Sequence, residues 1–444
     1  MINENAYLEE QTVRKVTKRI IPFLFVLFII AYLDRVNLSY AALDMNKDLA
    51  LSSEVFGLIA GIFFLGYVIF EIPSNIMLHK FGARKWIARI LISWGLVVVF
   101  TGYVQNETHL YILRFLLGIA EAGFFPGIIL YITYWFRTKD QARAYALFYL
   151  ALPVSNIAGA PVSTWIMDNI HWFGWEGWRW MFVLEGLPAI LLGIVTFFYL
   201  TDRPHQAKWL TEEEKAWLEA ELEKEKSMKK PQEKHSIAKV FTNGKVLHLA
   251  LVYITINFGL YGIGFWMPQI IKGLSSDLSS TQIGLLTMIP YIFAGITMIL
   301  WGMHSDKTGE RRWHAAIPPI IGAIGLAGCA IIKDPAISLV LLSLTTMGLF
   351  SFFAPFWSLP NRFLAGSSAA VGIALINSIG NFGGFFGPYM MGFTEEVTGS
   401  TSSGLFILSG ALILCTCLIL LFRKERHHQD SSTGIGDKQI PHMH

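Results

Sequence analysis

Charged residues are scarce in this chain. Asp, Glu, Lys and Arg make up 15% of its 444 residues, whereas soluble domains usually carry about a quarter. Apolar residues make up 53% of the sequence, and the mean hydropathy is +0.48. This shortage of charge excludes an ordinary soluble domain and predicts a membrane protein whose surroundings are the lipid bilayer.

Disulfide frameworks and enzyme motifs are lacking as well. The three cysteines, Cys329, Cys415 and Cys417, all lie in apolar runs and predict no disulfide framework. The sequence has no Walker loop for ATP, no pair of His or Cys at metal-ligand spacing, and no polar segment large enough for a catalytic domain. We therefore expect neither an enzyme nor a primary pump, and no cofactor, metal ion or nucleic-acid partner.

Long apolar runs are what the chain does contain. A spanning helix needs about 20 mainly apolar residues, and the short alternating strands of a membrane barrel are absent from the sequence. The predicted fold class is an all-α membrane protein with twelve transmembrane helices in two six-helix, pseudo-symmetric bundles. The predicted spans are 20–42, 54–78, 86–104, 110–135, 143–166, 179–200, 246–271, 281–303, 313–332, 336–358, 369–393 and 404–422.

The distribution of Lys and Arg predicts the orientation. When Arg89, Arg143 and Arg179, which lie at the ends of spans, are counted with the adjoining loops, 29 of them lie on the side of the N-terminus, four lie on the other side, and two lie within spans. Cytoplasmic loops carry such an excess, so both termini are predicted to be cytoplasmic in a multi-pass protein of the plasma (inner) membrane, expected to be a monomer. The predicted segments are an N-terminal segment (1–19), a first bundle (20–200), a cytoplasmic linker (201–245), a second bundle (246–422) and a cytoplasmic tail (423–444).

The linker contains one helical pattern, TEEEKAWLEAELEKEK. It begins with Thr211 and Glu214 at the spacing of a capping box, and Trp217, Leu218 and Leu222 follow along one side. The pattern predicts an amphipathic helix, which serves either as a solvated tether between the bundles or as a regulatory docking element.

Two loops repeat one another across the bundles. NIMLHKFGARK at 75–85 and GMHSDKTGERR at 302–312 are offset by 227 residues, as expected for transporters built from parallel repeats. The second loop resembles the loop signature of the major facilitator superfamily; the first has His79 where the signature has an acid. The resemblance implies conformational gating by Asp306, Arg311, Arg312, Gly82 and Arg84.

Two further segments narrow the resemblance. AYLDRVNLSYA in the first span and RFLLGIAEAGFFPG in the fourth are similar to the anion:cation symporter family, whose members include sugar-acid, tartrate, phthalate and hydroxyphenylacetate permeases. The resemblance covers all twelve spans. It implies import of a small organic carboxylate, such as a sugar acid, tartrate or similar hydroxy acid, in symport with protons by alternating access.

Four charged residues stand out inside these spans: Asp34 and Arg35 in the first, and Arg114 and Glu121 in the fourth. A charge near the bilayer centre costs about 2.5 to 3.5 kcal/mol on insertion scales, which marks these residues as functional candidates. At 1.5 Å per residue, Asp34 lies about 21 Å from the inner end of its span, and Arg114 and Glu121 lie about 6 and 16 Å from the outer end of theirs. All four can therefore line one cavity; two fixed ion pairs that brace the helices are the alternative.

The side-chain chemistry suggests a division of roles. An arginine binds a carboxylate through two hydrogen bonds and keeps its charge, whereas a buried carboxylate can take and release a proton. We predict that Arg35 binds the substrate anion, and that Asp34, coupled to Arg114, and Glu121 carry protons. The family resemblance implies the same roles for these positions.

The second half has no counterpart of these charges and is expected to supply neutral recognition. Besides Arg35, the predicted substrate-binding residues are Tyr67, Asn257, Tyr261, Trp357 and Asn377; hydrogen bonding between helices or ring packing is the alternative for each.

Several functions remain open at this point. Amides and tyrosines favour a hydroxy acid, whereas Phe356 and Trp357 suit an aromatic acid. The alternatives are an aromatic-acid or other monocarboxylate or dicarboxylate symporter or exchanger and, from other classes, a channel or a transporter-like sensor. Internal repeats argue against a channel, and the lack of a large output domain argues against a sensor.

Overall fold

The computed structural model describes residues 4–228, 240–275, 277–360 and 366–422. These residues form twelve long helices, numbered α1 to α12 in chain order. They are α1 (Glu4–Asp48), α2 (Ser53–Phe81), α3 (Ala83–Thr101), α4 (Glu107–Glu121 and Phe124–Thr133), α5 (Thr138–Tyr149 and Ala151–Asn169), α6 (Gly177–Tyr199), α7 (Gly244–Leu274), α8 (Ser280–Thr308), α9 (Arg312–Ile331), α10 (Pro335–Ser351 and Phe353–Trp357), α11 (Gly366–Gly380 and Phe382–Thr398) and α12 (Thr401–Leu421). The predicted tail 423–444, linker residues 229–239 and residues 1–3 lie outside the described residues.

The predicted all-α fold with twelve helices is confirmed. The described residues contain no strand, and ten of the twelve helices are long and apolar enough to cross a membrane. Of the other two, α3 carries Arg84, Lys85 and Arg89 in its first two turns, and α11 is divided at Asn381. α1 begins at Glu4, well before the predicted span, because the Glu, Gln, Lys and Arg residues ahead of the apolar run are good helix formers.

Local sequence explains where many helices begin and end. The side chain of Ser52 accepts a hydrogen bond from the backbone N–H of Val55 at the start of α2, and Ser279 with Gln282 forms a capping box at the start of α8. At the other ends of α8 and α11, Gly309 and Gly399 adopt left-handed backbone angles that terminate the helix. These short turns make neighbouring helices antiparallel.

The helices form two halves, α1–α6 and α7–α12. We call the face at which α1 begins the N-terminal face, and the opposite one the far face. On the far face, the Lys272 ammonium donates to the Leu43 carbonyl at 2.6 Å, and the backbone N–H and hydroxyl of Thr281 both donate to Asp168 at 2.6 Å. The halves are therefore joined on the far face through both α1–α7 and α5–α8.

Small residues allow helices of the two halves to approach closely. A Cβ at Gly57 or Gly61 of α2 would lie 2.6 Å from the carbonyl oxygen of Pro388 or Phe385 in α11. A Cβ at Gly284 of α8 would collide in the same way with α5. The interface between the halves thus relies on the small-residue packing that is common between helices in membranes.

Four helices are interrupted beside the central cavity described below. α4 breaks directly after Glu121, where Gly123 has a φ of +85° and a Cβ would run into the Ser74 side chain. This left-handed conformation suits glycine and changes the direction of the helix. The other interruptions lie at Leu150, Phe352 and Asn381.

A linker helix, Glu212–Met228, contacts the first half at the N-terminal face. Thr211 and Glu214 form the reciprocal hydrogen bonds of a capping box, and the Lys15 ammonium lies 2.8 Å from the Glu214 carboxylate. The Arg137 guanidinium lies 4.8 Å from the ring centre of Trp217. Burial opposes ionisation of Glu214, but the hydrogen bonds from Lys15 and Thr211 outweigh it and hold the pKa of this carboxyl below its usual value.

Candidate functional site

A cavity lies between the two halves at the level of the helix interruptions. Of its twenty lining residues, thirteen are Phe, Tyr or Trp, so most of the wall is aromatic. The polar atoms come from one guanidinium, three amides and the tyrosine hydroxyls. The charged and amide residues of the wall are Arg35, Asn257, Asn377 and Asn381.

Arg35 of α1 is the single charged residue among those twenty lining residues. Its guanidinium forms an ion pair with Glu121 of α4, and its Nη1 donates to the Tyr261 hydroxyl of α7 at 3.3 Å. The guanidinium carbon lies 5.2 Å and 5.5 Å from the ring centres of Phe63 and Tyr67, within cation–π range. The cation is therefore held by both halves of the protein and faces the cavity.

The six residues predicted to bind substrate are brought together by the structure. Each of them lines the same cavity: Arg35, Tyr67, Asn257, Tyr261, Trp357 and Asn377. Two also pack within the second half, since the Asn257 amide donates to the Gly380 carbonyl at 3.1 Å and the Trp357 ring lies 4.9 Å from that of Tyr253. Their predicted role in substrate binding stays a prediction.

Asp34 does not join Arg35 at the cavity wall. It is buried, and its Oδ2 accepts a hydrogen bond from the indole of Trp94 in α3 at 2.8 Å, while its Oδ1 has no described partner. Consecutive residues on a helix point about 100° apart, so Arg35 faces the cavity and Asp34 faces the interior of the first half.

Among the described residues, Asp34 and Arg114 share no hydrogen bond or ion pair, and their predicted coupling stays a prediction. Arg114 of α4 is 1% exposed and lies 5.3 Å and 5.9 Å from the rings of Phe63 and Phe265, and its Nε and Nη2 have no hydrogen-bond partner among the described residues. Glu121 lies two turns further along α4 and pairs with Arg35 instead. The structure thus brings together Arg35 and Glu121, whereas the described partner of Asp34 is Trp94.

Sequence reasoning missed a second buried carboxylate close to Asp34. Glu185 of α6 is 3% exposed, accepts a hydrogen bond from the Ser163 hydroxyl of α5 at 2.6 Å, and interacts electrostatically with Asp34. The signal was present, because Glu185 lies inside the predicted span 179–200. Asp34 and Glu185 form a buried acidic pair in the interior of the first half, away from the cavity wall.

A second missed carboxylate, Glu71 of α2, joins the two halves. It is 4% exposed, and it accepts hydrogen bonds from the Asn377 amide at 3.0 Å and from the Ser378 hydroxyl at 2.6 Å, both in α11. Glu71 also lies inside a predicted span, 54–78, so an inventory of every charge within spans would have found it.

The predicted gating residues occupy two similar turns at the N-terminal face. In the second half, Arg311 contacts Asp306 at 2.6 Å and donates to the Ser305 hydroxyl at 2.9 Å, and Arg312 donates to the Leu420 carbonyl. This arrangement ties the α8–α9 turn to the end of α12.

The first half has a carboxylate at the corresponding turn after all. Asp202, which follows α6, accepts a hydrogen bond from the backbone N–H of Arg84 at 2.8 Å and lies 3.8 Å from its guanidinium, beside Gly82 with its φ of +88°. The sequence of the loop itself could not show this, because Asp202 is more than a hundred residues away and His79 stands where the loop signature has an acid.

No group of three or more His, Cys, Asp or Glu side chains among the described residues could hold a metal ion. At the cavity wall, the guanidinium of Arg35 supplies a cation. Arg35 can hold Glu121, or it can hold an anion that enters the cavity.

Similarity to known proteins extends over most of this chain. Residues 24–388 match the family model described as Major Facilitator Superfamily. A protein of Agrobacterium vitis named as a candidate tartrate transporter is 47% identical over 95% of this chain and 96% of its own length. The metabolite transport protein NicT of Pseudomonas putida, also named as a candidate, is 43% identical over 91% of this chain and 93% of its own. The inner membrane transport protein RhmT of Escherichia coli is 34% identical over 94% and 97%.

Solved structures with the same fold include a D-xylose-proton symporter, with a TM-score of 0.73, 15% sequence identity and coverage of 92% of this chain and 98% of that one. The xylose transporter XylE of Escherichia coli in a partially occluded, inward-open conformation has a TM-score of 0.71 at 16% identity, covering 92% and 99%. At these identities the likeness shows the fold alone.

Proposed function

The chain belongs to the major facilitator superfamily of membrane transporters, and from that premise we propose that it imports a small organic carboxylate together with protons by alternating access. The observation that carries this proposal is the ion pair between Arg35 and Glu121 at the wall of the central cavity. In this pair, Arg35 is a fixed cation that can bind the substrate anion. Glu121 is a titratable carboxylate that competes with the substrate for Arg35.

Arg35 supports recognition of a carboxylate in particular. Its planar fork can bind both oxygens of a carboxylate, and its charge persists at every physiological pH. Phe63 and Tyr67 pack beside the guanidinium, which leaves few positions open to water and strengthens the attraction for an anion. The entering carboxylate takes the place of Glu121.

Glu121 supports coupling to protons. While Glu121 is ionised, its charge cancels that of Arg35 and the site has little attraction for a second anion. A proton on Glu121 removes this competition and leaves the positive charge of Arg35 for the substrate. Proton uptake and anion binding are then favoured together, which is the linkage that a symporter requires. The buried pair Asp34 and Glu185 supplies a further place for a proton in the same half.

The substrate class has two candidates. A hydroxy acid such as tartrate is favoured by the name of the Agrobacterium vitis relative and by the amides of Asn257 and Asn377 in the cavity wall. An aromatic carboxylate is favoured by the thirteen aromatic residues of that wall, which can stack on a flat ring.

The direction of transport follows from the proposed orientation. The excess of Lys and Arg on the N-terminal face favours a cytoplasmic location for this face in the plasma membrane. The far face, closed by the contacts of Lys272 and Asp168, is then the outer one. The turns at Asp306 and Asp202 are proposed to hold helix ends at the cytoplasmic face and to release them during the cycle.

Counterflow in proteoliposomes tests the proposal. Vesicles loaded with unlabelled L-tartrate or benzoate are diluted into the same labelled acid, and the transient excess of label inside is measured with and without an inward pH gradient. We expect saturable counterflow with one of the two acids, and accumulation in response to the pH gradient. Saturable counterflow without accumulation would indicate an exchanger, and single-channel currents would indicate a channel; either result would overturn the proposal.

A further inference from the structure

Glu71 connects the two halves through neutral partners. Its Oε1 accepts a hydrogen bond from the Asn377 amide, and its Oε2 accepts one from the Ser378 hydroxyl, so each carboxylate oxygen has one donor from α11. The side chain is 4% exposed. A carboxylate at this depth is expensive in a membrane protein unless it serves a function, and neither substrate binding nor proton coupling as described above uses it.

The contact lies between the cavity and the N-terminal face. Glu71 is one turn past Tyr67, which lines the cavity, and ten residues before the end of α2 at Phe81, or about 15 Å from that end. Asn377 lies about 16 Å from the start of α11 by the same measure. Because α2 runs toward the N-terminal face and α11 runs away from it, both depths place the contact on the N-terminal side of the cavity.

The far face is closed by its own set of contacts, which join Lys272 to Leu43 and Thr281 to Asp168. A cavity that opens alternately to the two faces needs contacts of both kinds, made and broken in turn. Glu71 with its two donors is placed to be the closing contact of the N-terminal side.

Asn377 relates this contact to the contents of the cavity. Its side chain lines the cavity and at the same time donates to Glu71, whereas Ser378 is not among the lining residues. The amide carries two N–H donors and one carbonyl acceptor, so a bound substrate that engages Asn377 changes the geometry available to Glu71. The charged and titratable groups that interact with Glu71 are Arg35 of α1, Tyr67 of α2 and Tyr253 of α7.

We propose that Glu71 is a gating residue of the transport cycle, whose hydrogen bonds to Asn377 and Ser378 hold the cavity closed toward the N-terminal face. Asn377, shared between this contact and the cavity, transmits the presence of substrate to the gate. The inference rests on the proposed alternating access. A carboxylate suits this role because it accepts from two donors when the gate is closed and is well hydrated when the gate is open.

Distances between spin labels across the N-terminal face test the gate without any substrate. Lys139 at the start of α5 and Lys307 near the end of α8 are exposed and belong to different halves, so cysteines at these two positions, in a background without the native cysteines, report on the width of the opening. The measurement uses the full-length, substrate-free protein in lipid nanodiscs. Ser378→Ala removes one donor without touching the cavity wall, and Glu71→Gln removes the charge.

A matched control is Ser409→Ala, which removes a buried serine hydroxyl whose hydrogen bond, to the Ala323 carbonyl at 2.8 Å, stays within the second half. We expect the population at long distance to rise at least twofold in Ser378→Ala and more in Glu71→Gln, and to stay at the parent level in Ser409→Ala. The double variant should not exceed Glu71→Gln, because both changes remove the same contact.

Unchanged distance distributions in both Ser378→Ala and Glu71→Gln would overturn the gating role, and so would an equal shift in Ser409→Ala. Because the readout needs no transported acid, these outcomes are distinct from a failure of the proposed transport function, which counterflow measures separately. If Glu71→Gln does not fold, the distance distribution of Ser378→Ala alone decides whether the contact gates the cavity.

Discussion

Trp94 donates its indole N–H to the carboxylate of Asp34 at 2.8 Å, whereas the neighbouring Arg35 lines the central cavity. Two adjacent charges of α1 therefore serve two different environments. Arg35 pairs with Glu121 beside the cavity, while Asp34 interacts electrostatically with Glu185 in the interior of the first half. A movement of α1 changes both environments at once, which provides a physical link between them.

Removing the Trp94 donor should destabilise the protein. In Trp94→Phe, Oδ2 of Asp34 loses its described partner, and leaving a buried acceptor unsatisfied costs about 1 to 3 kcal/mol. We expect a lower thermal unfolding temperature, measured by tryptophan-independent thiol labelling in detergent. The control is Trp178→Phe, which removes an indole N–H that donates to the partly exposed Asp48, where water can replace it. A decrease in unfolding temperature as large as that of Trp94→Phe would contradict the account.

Arg35→Lys should weaken transport although it keeps the charge. A lysine has no planar fork, so it cannot hold two oxygens of a carboxylate and the Tyr261 hydroxyl in the same way. Hydrogen bonds to charged groups contribute about 1.5 to 3 kcal/mol, which corresponds to a roughly tenfold to hundredfold higher half-saturating concentration in counterflow. Arg179→Lys, a change at a far-face arginine that pairs with Asp48, should stay within about twofold of the parent.

Tyr261→Phe should have a smaller effect of the same kind. The hydroxyl accepts one hydrogen bond from Arg35 at 3.3 Å across the two halves. A net contribution of about 0.5 to 1.5 kcal/mol predicts a twofold to tenfold loss of apparent affinity in counterflow. Tyr67→Phe keeps the ring that packs near Arg35 and should change the affinity less; the reverse order of the two variants would show that the hydroxyl of Tyr261 does not position Arg35.

Contact between the linker helix and the first half should depend on pH in a defined direction. Lys15 and Thr211 hold the pKa of Glu214 below the usual 4.5 despite its burial. The ionised Glu214 therefore stabilises the contact fully at any pH above its unfolded-state pKa, and this stabilisation is lost as the pH falls through its folded-state pKa. Hydrogen exchange of residues 212–225 should therefore accelerate as the pH falls below about 4.5, after correction for the intrinsic rate. In Glu214→Gln the exchange should already be fast at neutral pH and should not accelerate further as the pH falls. If the acceleration persists in this variant, it arises from the titration of another group.

The fold and six of the twenty residues that line the cavity could be predicted from the sequence. Twelve apolar runs predict twelve helices because a bilayer leaves few alternatives for the backbone. Polar residues such as Asn257, Tyr261 and Asn377 within those runs must face the interior of the protein rather than lipid. This is why the six predicted residues line a single cavity.

The pairing of the charges could not be predicted in the same way. Depth along a helix follows from residue number, but the direction of Asp34 depends on the rotation of α1 against α3 and on the presence of Trp94. The partners of Glu71 and Arg84 come from segments more than a hundred residues away, which no local pattern specifies. Sequence reasoning therefore found part of the cavity wall, and it missed Glu185, Glu71 and Asp202.

Glu121→Gln tests the central claim most directly. The change preserves the shape of the side chain and removes its charge and its proton, so Arg35 stays free for the anion at every pH. The measurement compares, in one set of proteoliposomes, counterflow of the transported acid and its accumulation under an inward pH gradient. The predicted result is counterflow within about threefold of the parent with accumulation lost, while the far-face variant Glu54→Gln retains both. Accumulation by Glu121→Gln equal to that of the parent would contradict the account.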